Sequence, residues 1–335
     1  MKALADAMRE PATTATLDAE GWTSLFAAAR AEQMIGSLAF RLEAQPMPEV
    51  ASRILADARA SAEQWRRSAL WEAEMARRAL APLGLPVVLM KGTAYAAAGM
   101  GAGAGRSIGD LDIMVPRDAL KAAETALIAA GWEWVKPDPY DDAYYRDHMH
   151  ELPPLIHRER DRMIDVHHTT LPLTARITPD ATAMLADSVV LDDGLRIMAP
   201  EDMVLHGVAH LFADGDLAGG LRNLWDQDRL LRELGAAAGF WDRLRARARL
   251  HGLEWHLALT LRLTRHLYAT PVDPALAGRA GLFDRWFVRR LLARDGWGRQ
   301  TRKFTQLAFY IRSHWLRMPP LMLARHLWTK WRKTA

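Results

Sequence analysis

From Asp18 to Leu83, apolar residues recur at three- and four-residue intervals, as in WTSLFAAARAEQMIGSLAFRL and WRRSALWEAEMARRALAPL. That period puts them on one face of a helix, and the abundant alanine and arginine favour the same state. QPMPE interrupts the run. At LGLPVVLMKG the texture changes. Gly84 and Pro86 end the helix, and VVLM is a short apolar run suited to a buried strand. TAYAAAGM predicts a short helix, GAGAGRS a flexible glycine loop, and DLDIMV a second strand. PRDALKAAETALIAAGW predicts a helix with Pro116 and Asp118 near its start and Gly131 as its stop. ELPPLIHRERDRMIDVHH predicts a hairpin whose charged turn runs from Arg158 to Arg162. After Pro200 the helical spacing returns and continues to the end.

These patterns predict an α+β (α/β) fold: a mixed-sheet core between helical regions. The expected boundaries are 1–84 for the N-terminal helical region, 85–198 for the core domain and 199–335 for the C-terminal helical domain. The 335 residues are 50% hydrophobic and 25% charged, which suits a globular protein with a sizeable core. Cysteine is absent, which excludes disulfides, thiolate metal sites and cysteine nucleophiles. No stretch of about 18 apolar residues marks a membrane span. The first residues lack a signal-peptide-like apolar core. A cytoplasmic protein is therefore expected.

The candidate chemistry lies in GRSIGDLDIMV. On a strand, residues two apart share a face, so Asp110 and Asp112 present two carboxylates side by side. Carboxylates this close need a counter-cation. Mg²⁺ suits them, because it takes hard oxygen ligands together with substrate phosphates. In MIDVHH, Asp165 sits between Ile164 and Val166 with His167 on its own face. If that strand lies beside the first, Asp165 completes a three-carboxylate site for one or two metals, of the kind that clamps an in-line phosphoryl displacement. Gly92 follows a strand and opens a helix whose first amides can face an anion. Lys91 adds charge there and Thr93 a hydroxyl, and Arg106 and Ser107 are placed to touch phosphate.

The order KGT, helix, R-S-x-G-D-x-D-apolar-x-V and apolar-D-x-H resembles the nucleotidyltransferase superfamily with the polymerase-β-like fold. More narrowly, it is similar to the bacterial group of uncharacterised nucleotidyltransferases. APEDMVLHGVAHLFADGDLAGGLRNLWDQDRLL resembles that group's helical region, with His206, His210 and Asp228. The resemblance implies Asp110, Asp112 and Asp165 as ligands of Mg²⁺ or Mn²⁺, and Asp165 as a general base. It places Gly92 and Ser107 near the triphosphate of an NTP such as ATP, with Lys91, Thr93, Arg106 and His167 as further nucleotide-site candidates. The expected reaction moves an NMP to a small molecule, sugar, peptide or protein and releases pyrophosphate. The alternative is a catalytically silent protein of the same fold that holds a nucleotide or a partner. In the first turn this chain has Lys91-Gly92-Thr93 where many superfamily members have Gly-Ser or Gly-Gly.

Other signals have plainer readings. His206 and His210 stand at i and i+4, a spacing that fits a zinc pair. No third ligand is near in sequence, so packing or pairing with Asp228 is preferred. His168 points away from the Asp165 face and is expected to be structural, and His148, His150 and His157 flank the hairpin as surface or loop residues. The net charge of +4 gives little reason to expect nucleic acid as a partner. From Gly296 onward the chain has nine basic residues and no acidic one, interleaved with aromatics. That tail is a candidate for contact with an anionic membrane surface. The preferred reading is a helix packed on the protein by its apolar face, because Pro319 and Pro320 break any long surface helix.

Overall fold

The computed structural model describes residues 1–335 except 136–137, 321–322, 324–327, 329–331 and 333–335. Three short helices open the chain: α1 (Lys2–Arg9), α2 (Ala19–Ala31) and α3 (Ile35–Arg41). The long helix α4 (Glu49–Leu80) follows. Asp18 caps α2 by accepting a hydrogen bond from the Gly21 amide at 2.8 Å. The α4 helix buries Leu55, Ala62, Ala69 and Ala76 at seven-residue spacing. Small side chains on that stripe let the sheet and α5 (Lys91–Ala97) approach closely. The helix α1 lies before the Asp18 start read from periodicity.

Seven strands form one mixed sheet in the order β3-β4-β5-β2-β1-β7-β6. They are β1 (Val88–Leu89), β2 (Asp110–Met114), β3 (Trp132–Trp134), β4 (Leu155–His157), β5 (Met163–His167), β6 (Val189–Val190) and β7 (Arg196–Ile197). The predicted hairpin is β4 and β5, paired antiparallel. Its turn is anchored from outside. Arg160 donates to buried Glu72 on α4 at 2.7 and 3.0 Å and lies over the Trp132 ring. Strand β2 runs antiparallel to β1 and parallel to β5, so the chain fits the expected α+β class. Helices α6 (Leu120–Ala129), α7 (Pro139–His148) and α8 (Ala181–Ala186) fill the connections.

The segment GAGAGRS is not the loose loop that composition predicts. Gly101–Gly103 forms a 3₁₀ turn with Ala102 and Gly103 buried. Gly105 has φ +69 and packs against the Gly36 carbonyl so tightly that a Cβ there would stand 2.3 Å from its oxygen. Glycine is used here for close backbone approach, not for mobility.

After β7 come α9 (Pro200–Val208), a π-helical turn (Ala209–Asp214), α10 (Gly220–Leu234), α11 (Phe240–Leu250), α12 (Glu254–Tyr268), α13 (Pro274–Ala277), α14 (Asp284–Leu291) and α15 (Lys303–Arg317). One apolar core joins the end of α4, the sheet and α9 to α12; another joins α1 to α4 with α10, α12, α14 and α15. The helix α15 buries Phe309 against Phe287 and leaves Phe304, Leu307 and Trp315 exposed. Of the basic tail, Arg325, Lys330 and Lys333 lie outside the described residues. Among the described residues, no helix is long and apolar enough to cross a membrane.

A buried polar triad ties α9 to α11. Asp202 is 0% exposed, accepts from Arg247 at 2.6 Å on each oxygen and from His251 Nε2 at 3.0 Å. His251 Nδ1 accepts from the Asp180 amide at 3.1 Å, so the ring is the Nε2–H tautomer. Asp202→Ala leaves Arg247 without its buried partner and is expected to cost about 3 kcal/mol or more in urea denaturation.

Burial also sets a pH dependence. His256 and His168 are both held neutral by burial, down to about 4. A depressed histidine stabilises the fold above the unfolded value of 6.5 and loses that contribution as pH falls through the folded value. The melting temperature is therefore expected to fall between about pH 7 and about pH 4, with a shallower fall in His256→Gln.

Candidate active site

The strand β1 delivers Lys91 to the start of α5 in a left-handed conformation, φ +49. A β-substituted residue adopts that region at a cost, and such strain clusters at functional sites. The contact across the cleft accounts for it. Lys91 Nζ stands 2.5 Å from Asp112 Oδ1, and the Met90 amide donates to the Asp112 carbonyl at 3.0 Å. Asp112 is 2% exposed. Burial favours its neutral form, but the Lys91 ammonium and His167 outweigh that and hold the carboxyl well below its usual range. Asp112 in turn keeps Lys91 protonated, above its ordinary value, against the effect of burial.

The parallel register aligns Asp112 with Asp165, and Asp110 with Met163. Asp110, Asp112 and Asp165 thus share a face, and each offers an oxygen within 4.8 Å of the others. Asp110 is exposed; Asp165 is partly buried. Burial first, then the Asp112 and Glu151 charges, raise the Asp165 pKa to about 7. Three carboxylates in one place form an oxygen-only donor set, which fits a hard divalent cation.

Asp110 and Asp112 border a cavity of about 520 Å³. Lys91, Gly92, Arg106, Ser107, Asp110 and Asp112 line it; Thr93, Asp165 and His167 do not. Thr93 is 1% exposed, and its hydroxyl has no hydrogen-bond partner among the described residues. His167 is 2% exposed behind Asp112, with Nε2 2.9 Å from Asp112 Oδ1. Arg106 donates from Nε to Asp226 at 3.0 Å. Burial opposes its charge, and the Asp226 carboxylate outweighs that effect. Gly92 makes room for this guanidinium, since a Cβ there would meet Arg106 Nη1 at 2.0 Å.

The opposite wall comes from α9, the π-helical turn and α10 with residues that the sequence reading assigned otherwise or missed. His206 and His210 both line the cavity, with ring centroids 6.5 Å apart. Burial, then Lys91, push both far down, His210 to about 3, so both rings are neutral. Asp228 does not pair with them. It is 0% exposed and binds Arg229, Arg232 and Thr270, the last at 2.6 Å. The neighbour that faces the cavity is Asp226, together with Arg222, Asn223 and Gln227. These four fall at i, i+1, i+4 and i+5, so they share one face of α10, and that spacing was the available signal. Arg222 Nη1 donates to Gln33 Oε1 at 2.7 Å, and Gln33, at φ +55, brings the N-terminal region to the site. Among the described residues no carboxylate lies within ion-pair distance of Arg222. His168 is buried, with Nε2 3.2 Å from the Met149 carbonyl. His150 and His157, read as surface or loop residues, are both largely covered.

Gly92→Ala is expected to push Arg106 off Asp226 and to weaken ligand binding in this cavity by about tenfold, or about 1.4 kcal/mol. Nucleotide titration of the folded variant checks it.

A search of curated proteins gave no match. The model of the family described as "Uncharacterised nucleotidyltransferase" matches residues 18–269, well over half of the 335-residue chain. That span takes in the sheet, the aspartate triad and the α9–α10 wall, and the chain belongs to this family.

Proposed function

We propose that this protein is a divalent-metal-dependent nucleotidyltransferase that moves an NMP from an NTP to an acceptor hydroxyl or phosphate and releases pyrophosphate. The observation that carries the reading is the meeting of Asp110, Asp112 and Asp165 within 4.8 Å, beside a cavity that Asp110 and Asp112 line and whose far wall holds Arg222. Mg²⁺ or Mn²⁺ would be held by Asp110, Asp112 and Asp165, and when bound supplies positive charge at the phosphates.

The chain's own residues have definite parts. Arg222, without a carboxylate partner among the described residues, is the cation for the triphosphate tail. Lys91 and Ser107 line the same cavity and add donors. Asp165, on the face it shares with Asp110 and Asp112, is the candidate base for the proton of the attacking hydroxyl. The new bond joins the acceptor oxygen to the α-phosphorus, and the bond from that phosphorus to the β-bridging oxygen breaks. Arg222 and Lys91 face the charge that leaves. His206 and His210, both neutral, offer hydrogen bonds to base or acceptor without adding charge.

One observation favours the silent alternative. The Lys91 ammonium already neutralises Asp112, at 2.5 Å. A chain that keeps this contact permanently would hold a nucleotide without turning it over. Two measurements separate the readings. Arg222→Ala is expected to weaken NTP binding by about tenfold or more and to leave NMP binding nearly unchanged, because only the triphosphate reaches it. With α-labelled NTP, Mg²⁺ and candidate acceptors from the small-molecule, sugar, peptide and protein classes, label transfer is expected in wild type and lost in Asp165→Asn. Tight NTP binding with no transfer to any acceptor supports the silent reading.

A further inference from the structure

We infer that His150, Glu151 and His167 form a second metal site, beside the aspartate triad and of different chemistry, suited to Zn²⁺. Its scaffold is backbone. After α7 the chain turns along β5: the Leu152 amide donates to the Val166 carbonyl at 2.9 Å and the His168 amide to the His150 carbonyl at 2.9 Å. Glu151 and His167 face each other as an antiparallel bridge. The three side chains are thereby preset from two paired backbone segments, one of them the end of the interior strand β5.

The spacing fits a tetrahedral ion. Glu151 Oε2 stands 3.4 Å from His167 Nδ1 and 3.6 Å from His150 Nε2. Zinc bonds to nitrogen and oxygen imply ligand-to-ligand edges of roughly 3.3–3.6 Å. Ligand atoms of the three residues all lie within 4.8 Å of one another. His167 keeps Nδ1 buried without a hydrogen-bond partner among the described residues, an arrangement that calls for a missing one. The rings lie 5.2 Å apart and are tilted by 34°. The side chains of His150 and Glu151 are 13% and 18% exposed, so solvent can supply a fourth ligand.

The hydrogen bond behind the site points the same way. His167 Nε2 lies 2.9 Å from Asp112 Oδ1. A metal-bound histidine commonly gives its other ring N–H to a carboxylate, which fixes the tautomer and orients the ring. With Nε2 on Asp112, Nδ1 is the ring nitrogen turned toward Glu151 Oε2, at 3.4 Å. Two imidazoles and one carboxylate select Zn²⁺ over Mg²⁺, whereas the oxygen-only triad does the reverse. The role is positional: an ion here fixes His167 and, through it, Asp112. The inference does not depend on nucleotide chemistry.

The test measures bound metal. The full chain is stripped with chelator, titrated with Zn²⁺ or Co²⁺, and compared with His150→Ala, Glu151→Gln and Asp110→Asn. Wild type and Asp110→Asn are expected to take one equivalent of Zn²⁺, with a tetrahedral Co²⁺ spectrum and a Zn²⁺-dependent rise in melting temperature. His150→Ala and Glu151→Gln are expected to lose all three while keeping the far-ultraviolet dichroism of the stripped wild type. If His150→Ala does not fold, Glu151→Gln alone decides. No bound equivalent in wild type, or one lost in Asp110→Asn and kept in His150→Ala, overturns the site. A melting temperature indifferent to Zn²⁺ overturns it too, and leaves a proton between His167 and Glu151.

Discussion

A carboxylate with 2% of its surface exposed cannot stay ionised alone, and Asp112 is that carboxylate. Everything around it answers this constraint. Lys91 takes a left-handed backbone to bring its ammonium to Asp112, and His167 supports the same oxygen from behind. The parallel pairing of β2 with β5 then adds Asp165 on the same face, which increases the demand for positive charge. In the metal-free chain Lys91 meets that demand. In the loaded enzyme of our proposal a divalent ion meets it, and Lys91 becomes available to phosphate. The strained lysine is therefore the point where structure and chemistry connect.

The cavity is built from all three parts of the chain. Gln33 comes from the N-terminal helices, Lys91 to Asp112 from the sheet, and His206 to Gln227 from the C-terminal helices. The two apolar cores both run across the boundaries read from sequence, so the walls are held by common packing. Glycines set the close approaches. Gly92 admits Arg106, and Gly207 admits Gln227, whose Nε2 would meet an added Cβ at 2.1 Å.

Much of the sheet was legible because its signals are local. The alternation in DLDIMV and MIDVHH identifies two strands and puts their carboxylates on one face without knowledge of the partner strand. The hairpin turn between Arg158 and Arg162 is equally local. The neighbours of β2 in the sheet were not legible, and the triad depends on them. The opposite wall was read two positions off. In WDQDRLL, Asp228 drew notice, but two residues along a helix turn the side chain to the other side, and Asp226 is the one that faces the cavity. His150 and Glu151 carry no spacing signal at all, since a backbone bridge brings them to His167. The glycine loop misled because composition cannot distinguish freedom from close packing.

The most direct measurement is a calorimetric titration of each NTP, with and without Mg²⁺ or Mn²⁺, into wild type and the Asp110→Asn/Asp112→Asn double variant. The account predicts binding that requires the divalent ion and disappears in the variant. NTP binding that is equally strong without metal and unchanged in the variant, or no binding to wild type under any condition, would contradict it.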